Sequence, residues 1–271
     1  MRKILLASFV LTILCPVLKA QVNGEYRSAT SGPWNDASTW EFYQNGWGAA
    51  PQFPTYADGH VTIRNPHTVT ISSDLRIDET TVDAGGTLSV TGGTLRINNN
   101  VPAGTDLAIN GSINWYSAAL LTVDAGAVID GSASFFYNGS TATNDGSINT
   151  SSFIMGGSSP QTINGTGSIA TFIPFNNAGI NIGGDQTITS QLAFNYGILH
   201  TVGNNRIIIG DGAYVINGSS TTYIDGNEEF YFAGPLGITY TIGDPNFYLP
   251  IQLTPLIATS GGIAARTDAG E

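Results

Sequence analysis

Cysteine is almost absent from this chain. The single residue, Cys15, lies in an apolar N-terminal stretch, so disulfides cannot be what holds the remainder together. Lysine is confined to Lys3 and Lys19. Without residues 1–20, six arginines face all 20 acidic residues, 6 against 20, a formal charge of −14. Such a balance excludes the basic footprint that nucleic-acid binding requires and disfavours anionic polysaccharide as a substrate. Charged residues of both signs make up only 11% of the sequence. No window carries apolar residues at sustained helical spacing. Catalytic signatures are also lacking: there is no Gly-x-Ser-x-Gly, no HExxH and no glycine-rich phosphate loop. His60, His67 and His200 do not stand at metal-ligand spacing, and Gly210-Asp211-Gly212 lacks the longer glycine-aspartate repeat of calcium-binding β-rolls. No catalytic, cofactor-binding or metal-binding residue is therefore expected, and no cofactor.

Short runs of Ile, Val, Leu, Thr and Phe are abundant, each closed by Gly, Asn, Asp or Ser. Ile180–Ile182, Ile207–Ile209 and Tyr214–Ile216 are examples within the densest stretch, 164–225. β-Branched residues suit a pleated, half-buried surface, and Gly and Asn supply the positive φ of turns. An apolar fraction of 41% argues for a folded chain despite the low charge. Many short strands at even intervals without helices indicate a solenoid, with an antiparallel sandwich as the alternative.

Four regions follow. Residues 1–20 have the form of a signal peptide, with Arg2 and Lys3 before an apolar run at 4–14 too short to span a membrane, and cleavage near Ala20. Leu14 is unsuited to lipoprotein processing at Cys15. Residues 21–60 hold Trp34, Trp40 and Trp47 with Tyr26, Phe42, Tyr43 and Phe53, an aromatic cap for the open end of a stack and its first rungs. The competing reading of these rings is a platform for sugars. Residues 61–227 are expected to be stacked parallel strands. Here Thr81-Val82-Asp83-Ala84-Gly85 recurs 41 residues later as Thr122-Val123-Asp124-Ala125-Gly126. With coils of about 20 residues, that spacing would be two coils and would put Asp83 and Asp124 on one face. Paired carboxylates serve glycoside hydrolysis or calcium; the plainer and favoured reading is turn chemistry. Trp115-Tyr116 and Phe135-Phe136-Tyr137 read as aromatics stacked rung on rung. The Asn-x-Ser/Thr triplets at Asn110, Asn138, Asn149, Asn164 and Asn217 match the glycosylation acceptor pattern but read as turns. Residues 228–271 change register, with Pro235, Pro245, Pro250 and Pro255 at short intervals. They are expected to leave the stack as a partial, sandwich-like β module that docks on the last coil.

The run Gly32-Pro33-Trp34-Asn35-Asp36-Ala37-Ser38-Thr39-Trp40, then Pro51, Pro54, His60-Val61-Thr62-Ile63 and His67-Thr68-Val69-Thr70-Ile71, resembles the opening of secreted or cell-surface β-helix proteins of Bacteroidetes, loosely including the eight-glycine domain family. Tyr240-Thr241-Ile242-Gly243-Asp244-Pro245 and the following Tyr248-Leu249-Pro250-Ile251 resemble a segment of large surface proteins of the same bacteria. The resemblance implies a right-handed parallel β-helix belonging to a larger exported, multi-domain protein, located outside the cell or on its outer surface. It implies no catalytic residues. The expectation is an exported, non-catalytic structural or adhesive module, with a glycan or a host-surface ligand as its possible partner and no nucleic acid or inserted membrane. The alternatives are a polysaccharide lyase, a glycoside hydrolase or a glycan-binding module. Two carboxylates across a groove would favour an enzyme, a coplanar pair of exposed rings a binder, and a bare Thr/Asn-covered stack a spacer.

Overall fold

A strand of three residues leaves most of its backbone groups in need of partners and cannot form a stable hairpin alone. Stacking provides the partners, because each triplet can pair with its equivalents one turn before and one turn after. The computed structural model describes residues 21–100, 104–233, 237–253 and 260–267. It is an all-β parallel solenoid of about eight turns. The expected signal peptide, with Cys15 and Ala20, lies outside the described residues.

Each coil gives one strand to each of three faces. The first complete coil runs Val61–Ile63, Thr68–Ile71, Leu75–Ile77, and the last runs Ile207–Ile209, Tyr214–Ile216, Ile224–Asp225. Neighbouring coils pair in parallel, as in Val61 with Thr80 and Leu95 with Leu75. In two coils the first and second faces are joined in single bent strands, Ser168–Phe175 and Gln186–Ala193, whose register shifts between Ile169 and Thr171. Among the described residues the second face is interrupted between two adjacent coils: Ser112–Trp115 pairs with Thr87–Val90 below it but forms no ladder with Ser134–Tyr137 above it.

Side chains alternate in and out along every strand. Ile63, Val82 and Ile109 stack as one fully buried column on the first face. Each such aliphatic side chain contributes about 1.5–3 kcal/mol relative to exposure. Mid-stack the core changes from aliphatic to aromatic: Trp115, Phe135, Tyr137, Phe153 and Phe172 are all buried, with successive ring centroids 5–6 Å apart. Tyr137 donates its hydroxyl to the Thr141 carbonyl, and burial raises its pKa. Polar core residues are paired across coils: Asn144 donates to Gln186 at 3.0 Å, and Asn176 to Gln161 at 2.9 Å.

Both ends are covered. Trp34 and Trp40 are buried edge to face, 4.9 Å apart, each donating its indole N–H to a backbone carbonyl. Trp40–Tyr43 and Trp47–Ala49 lie antiparallel along the outer edge of Tyr26–Ser28 and close the first sheet. At the other end the stack does not stop at 227. Asn227–Phe232 pairs in parallel with Ile207–Ile209, and Ile242–Gly243 with Ile224–Asp225. Glu228 and Glu229, the first residues of the segment expected to leave the stack, belong to one more rung. Glu228 points into the core, and Glu229 accepts from Arg206 at 2.6 Å. Antiparallel cover begins only with Gly261–Arg266, laid over Asn227–Phe232, and the small pair Ile238–Tyr240 with Ile251–Leu253.

Candidate functional site

A groove of about 880 Å³ lies at the corner between the second and third faces. It lies where the second face is interrupted. Above and below the break the inward residues are Trp115, Phe135 and Tyr137, with Trp115 to Tyr137 at 5.1 Å. Trp115 gives its indole N–H to the Ala119 carbonyl at 3.0 Å, and the Asn138 amide donates to the Trp115 carbonyl at 3.2 Å, bridging the gap that the ladder leaves. Asn114, Tyr116, Phe136, Ser140 and Ser158 line the opening. No Asp, Glu, His, Lys or Arg is among the lining residues. The side chains of Asn114, Tyr116, Ser140 and Ser158 make no hydrogen bond to another described residue. They are available to solvent or to a ligand.

Tyr116 and Phe136 reach outward because their neighbours reach inward. The sequence reading of Trp115-Tyr116 and Phe135-Phe136-Tyr137 as rings stacked rung on rung did not say which face they take: Trp115, Phe135 and Tyr137 are buried, while Tyr116 and Phe136 are on the surface. Tyr116 is 54% exposed and Phe136 36%. Phe136 lies over Gly156, where a Cβ would come within 2.5 Å of its ring. From there exposed rings continue along the corner. Phe136 meets Phe175 at 6.0 Å, and Phe175 meets Tyr196 at 5.0 Å, both edge to face. Gly156 pairs with Phe175, and Phe175 bridges to Tyr196, so these positions occupy successive coils of one column. The rings do not form a coplanar pair. Period-two alternation within each aromatic cluster was the signal in the sequence that would have located the outward rings.

The carboxylates considered from sequence do not come together. Asp83 follows a strand of the first face, whereas Asp124 follows Ala119–Val123 on the third. The coil between them is lengthened by the loop after Gly93–Ile97, so that Thr80 pairs with Leu107, 27 residues on, and the 41-residue offset is not two turns. Turn chemistry accounts for both motifs: Gly85 and Gly126 have φ of +84° and +80°, and the carbonyls of Asp83 and Asp124 accept from Gly86 and Ala127. Asp124 is held by Arg96 at 2.7 Å.

Asp83 sits in a smaller cleft of about 290 Å³ near the first coil, with His60, Arg27, Arg64 and Trp47. Burial raises the Asp83 pKa, against the opposing pull of His60 and Arg64. The two arginines are already engaged: Arg27 donates to Glu41 at 2.6 Å and stands over the Trp47 ring, and Arg64 donates to the Ser28 carbonyl. His67 bonds Ser28, and His200 bonds Asp225 at 2.9 Å. Among the described residues no three metal-type side chains gather, and no helix is long and apolar enough to cross a membrane.

Fold and groove together define the chain as a parallel β-solenoid with an uncharged, aromatic-edged corner groove. No family model, no curated protein and no solved structure matches it.

Proposed function

We propose that this chain is an exported, non-catalytic structural or adhesive solenoid module. The observation that carries the reading is the chemistry of the large groove, whose lining is made of amides, hydroxyls and aromatic rings without an acid, a base or a cation. Hydrolysis of a glycosidic bond calls on two carboxyl groups about 5–9.5 Å apart on either side of a bound chain. Elimination calls on a base and on a positive charge at the developing oxyanion. Several carboxylates elsewhere are tied to arginines, as in Arg96 with Asp124 and Arg206 with Asp185 and Glu229. Stacking about eight coils at about 4.8 Å per coil gives a rod of about 40 Å, suited to holding other parts at a distance. The charge arrangement and apolar run of residues 1–20 support export.

Purified protein incubated with neutral and uronic-acid polysaccharides is expected to release neither reducing ends nor unsaturated sugars. Release that disappears in Asp83→Asn would overturn the non-catalytic reading, because the cleft of His60, Asp83 and Arg64 is one place where the competing hydrolase or lyase reading can put its chemistry. Mass spectrometry of the secreted protein should show a start at Gln21; an acylated Cys15 would instead make it a lipoprotein.

A further inference from the structure

We propose that the corner groove and the aromatic track leading from it form a binding site for an uncharged oligosaccharide lying along the solenoid axis. The proposal deepens the adhesive reading above and rests on it. The track begins at Tyr116, passes Phe136 and Phe175 and ends at Tyr196. The first and last of these rings lie four coils apart in the stack, about 19 Å at strand spacing. All four are 36–54% exposed. The faces of sugar rings carry C–H groups that pack on aromatic rings, and their hydroxyls need neutral donors and acceptors beside them. Asn114, Ser140 and Ser158 offer such groups beside the track, unengaged by any other described residue.

Three alternatives are disfavoured by the same geometry. A nucleic acid or a uronate polymer needs cations, and the groove has none in a chain of strongly negative charge. An extended peptide gains its affinity by adding a strand to an open sheet edge. Here the first and third faces stay paired across the break, Leu107 with Ile129 and Leu121 with Ala142. The gap is therefore one coil wide and admits no inserted strand. A second copy of this chain would want a broad apolar patch, whereas the rings form a single line interrupted by amides and hydroxyls. The ring planes also narrow the choice among glycans. Neighbours meet at 67° and 75°, so they suit a chain whose successive sugar faces turn about its axis better than a flat ribbon.

Phe136 packs against Gly156 and meets the Phe175 ring at 6.0 Å, and a ring that already has neighbours before binding loses less freedom on binding. Truncating one central ring of such a site is expected to weaken binding about tenfold.

Titration calorimetry on the purified chain with laminarihexaose, maltohexaose, cellohexaose and hexagalacturonate tests this. Binding of laminarihexaose or maltohexaose, stronger than that of cellohexaose and unchanged between low and high salt, is expected. Phe136→Ala and Tyr116→Ala, both at exposed rings, should each weaken it about tenfold while leaving thermal unfolding in place, and Asn114→Ala, which removes no core contact, should weaken it less. The proposal fails if no neutral hexasaccharide binds, if only hexagalacturonate binds, or if binding survives both ring truncations. Self-association lost in Phe136→Ala, without sugar binding, would also refute it and make the track an interface between copies. Sugar release by the wild-type protein would break the non-catalytic reading alone; absence of both binding and release would break only the present one.

Discussion

Glu228 is the most exposed to test of all buried groups, because its charge state sets the stability of the last rung. Its side chain is fully buried, facing the core from Asn227–Phe232. One carboxyl oxygen accepts the Thr241 N–H at 2.6 Å, and the other, Oε1, has no partner among the described residues. Burial raises the pKa to about 8, with the Thr241 N–H pulling the other way. Nearby ionisable groups are Glu229, held by Arg206, and Tyr240 and Tyr248, whose own pKa values are raised first by burial and then by this acidic pair or by Glu228. The folded-state value exceeds the ordinary glutamate value of 4.5. The stability this group allows is therefore complete below about pH 4.5 and is lost as pH rises towards 8. At 1.36 kcal/mol per unit, the loss at pH 7 is about 3 kcal/mol and approaches 5 above pH 8.

A solenoid is held by nearest-neighbour contacts, so this loss should appear as local opening of the last rung before the whole stack unfolds. Glu228→Gln keeps the shape and the acceptor for Thr241 without the charge. Hydrogen exchange of Asn227–Phe232 and Ile242–Gly243, corrected for intrinsic rates, should show wild-type protection falling from pH 5 to 8.5. The variant should keep its protection. Equal pH dependence in both proteins, or a wild-type rung whose protection does not change, would refute the burial argument.

Two further outcomes follow from the core. Phe153→Ala removes a ring that contacts Phe135, Tyr137 and Phe172 and should cost about 3–5 kcal/mol, read as a lower urea midpoint; a cost below about 1 kcal/mol would mean that the aromatic segment repacks freely. Asp106 is buried, accepts the Val128 N–H at 2.6 Å, and has its pKa raised by burial and by the neighbouring Asp78 carboxyl, so stability is complete below the ordinary carboxylate value and lost as pH rises above it. Asp106→Asn should therefore raise the thermal midpoint at neutral pH and flatten its pH dependence, and a lowered midpoint at pH 7 would contradict this.

The strands were legible because their composition is local: a β-branched triplet between turn residues reads the same wherever it lies in the stack. Phase was not legible. Coil length varies from 18 residues, Ser134 to Ser152, to 27, Thr80 to Leu107. The repeated Thr-Val-Asp-Ala-Gly therefore falls on two different faces, although each copy makes the turn expected of it. The end of the stack was misplaced for a related reason. Two adjacent glutamates suggest solvent in a sequence, but in a strand they face opposite ways, and only packing tells that one meets Arg206 and the other the core. The cap around Trp34 and Trp40 was readable, since indoles clustered within one turn-rich segment have few other uses. The groove was not, because it depends on a missing ladder between two strands that look as capable of pairing as any others.

That missing ladder connects interior and surface. Strands Ser112–Trp115 and Ser134–Tyr137 bring three large rings to the same side of two adjacent coils, where the aliphatic coils before them bring Val and Leu. Bulk that fills the core here coincides with the place where the second face stops pairing, while the first and third faces continue. The alternation that buries Phe135 and Tyr137 then requires Phe136 to point outward at the opening, and Gly156 in a neighbouring coil leaves room for its ring. A surface site built this way needs no inserted loop. It arises from the size of core side chains in two coils and from the period of a β-strand, so substitutions such as Phe153→Ala that shrink the aromatic core act on the groove as well as on stability.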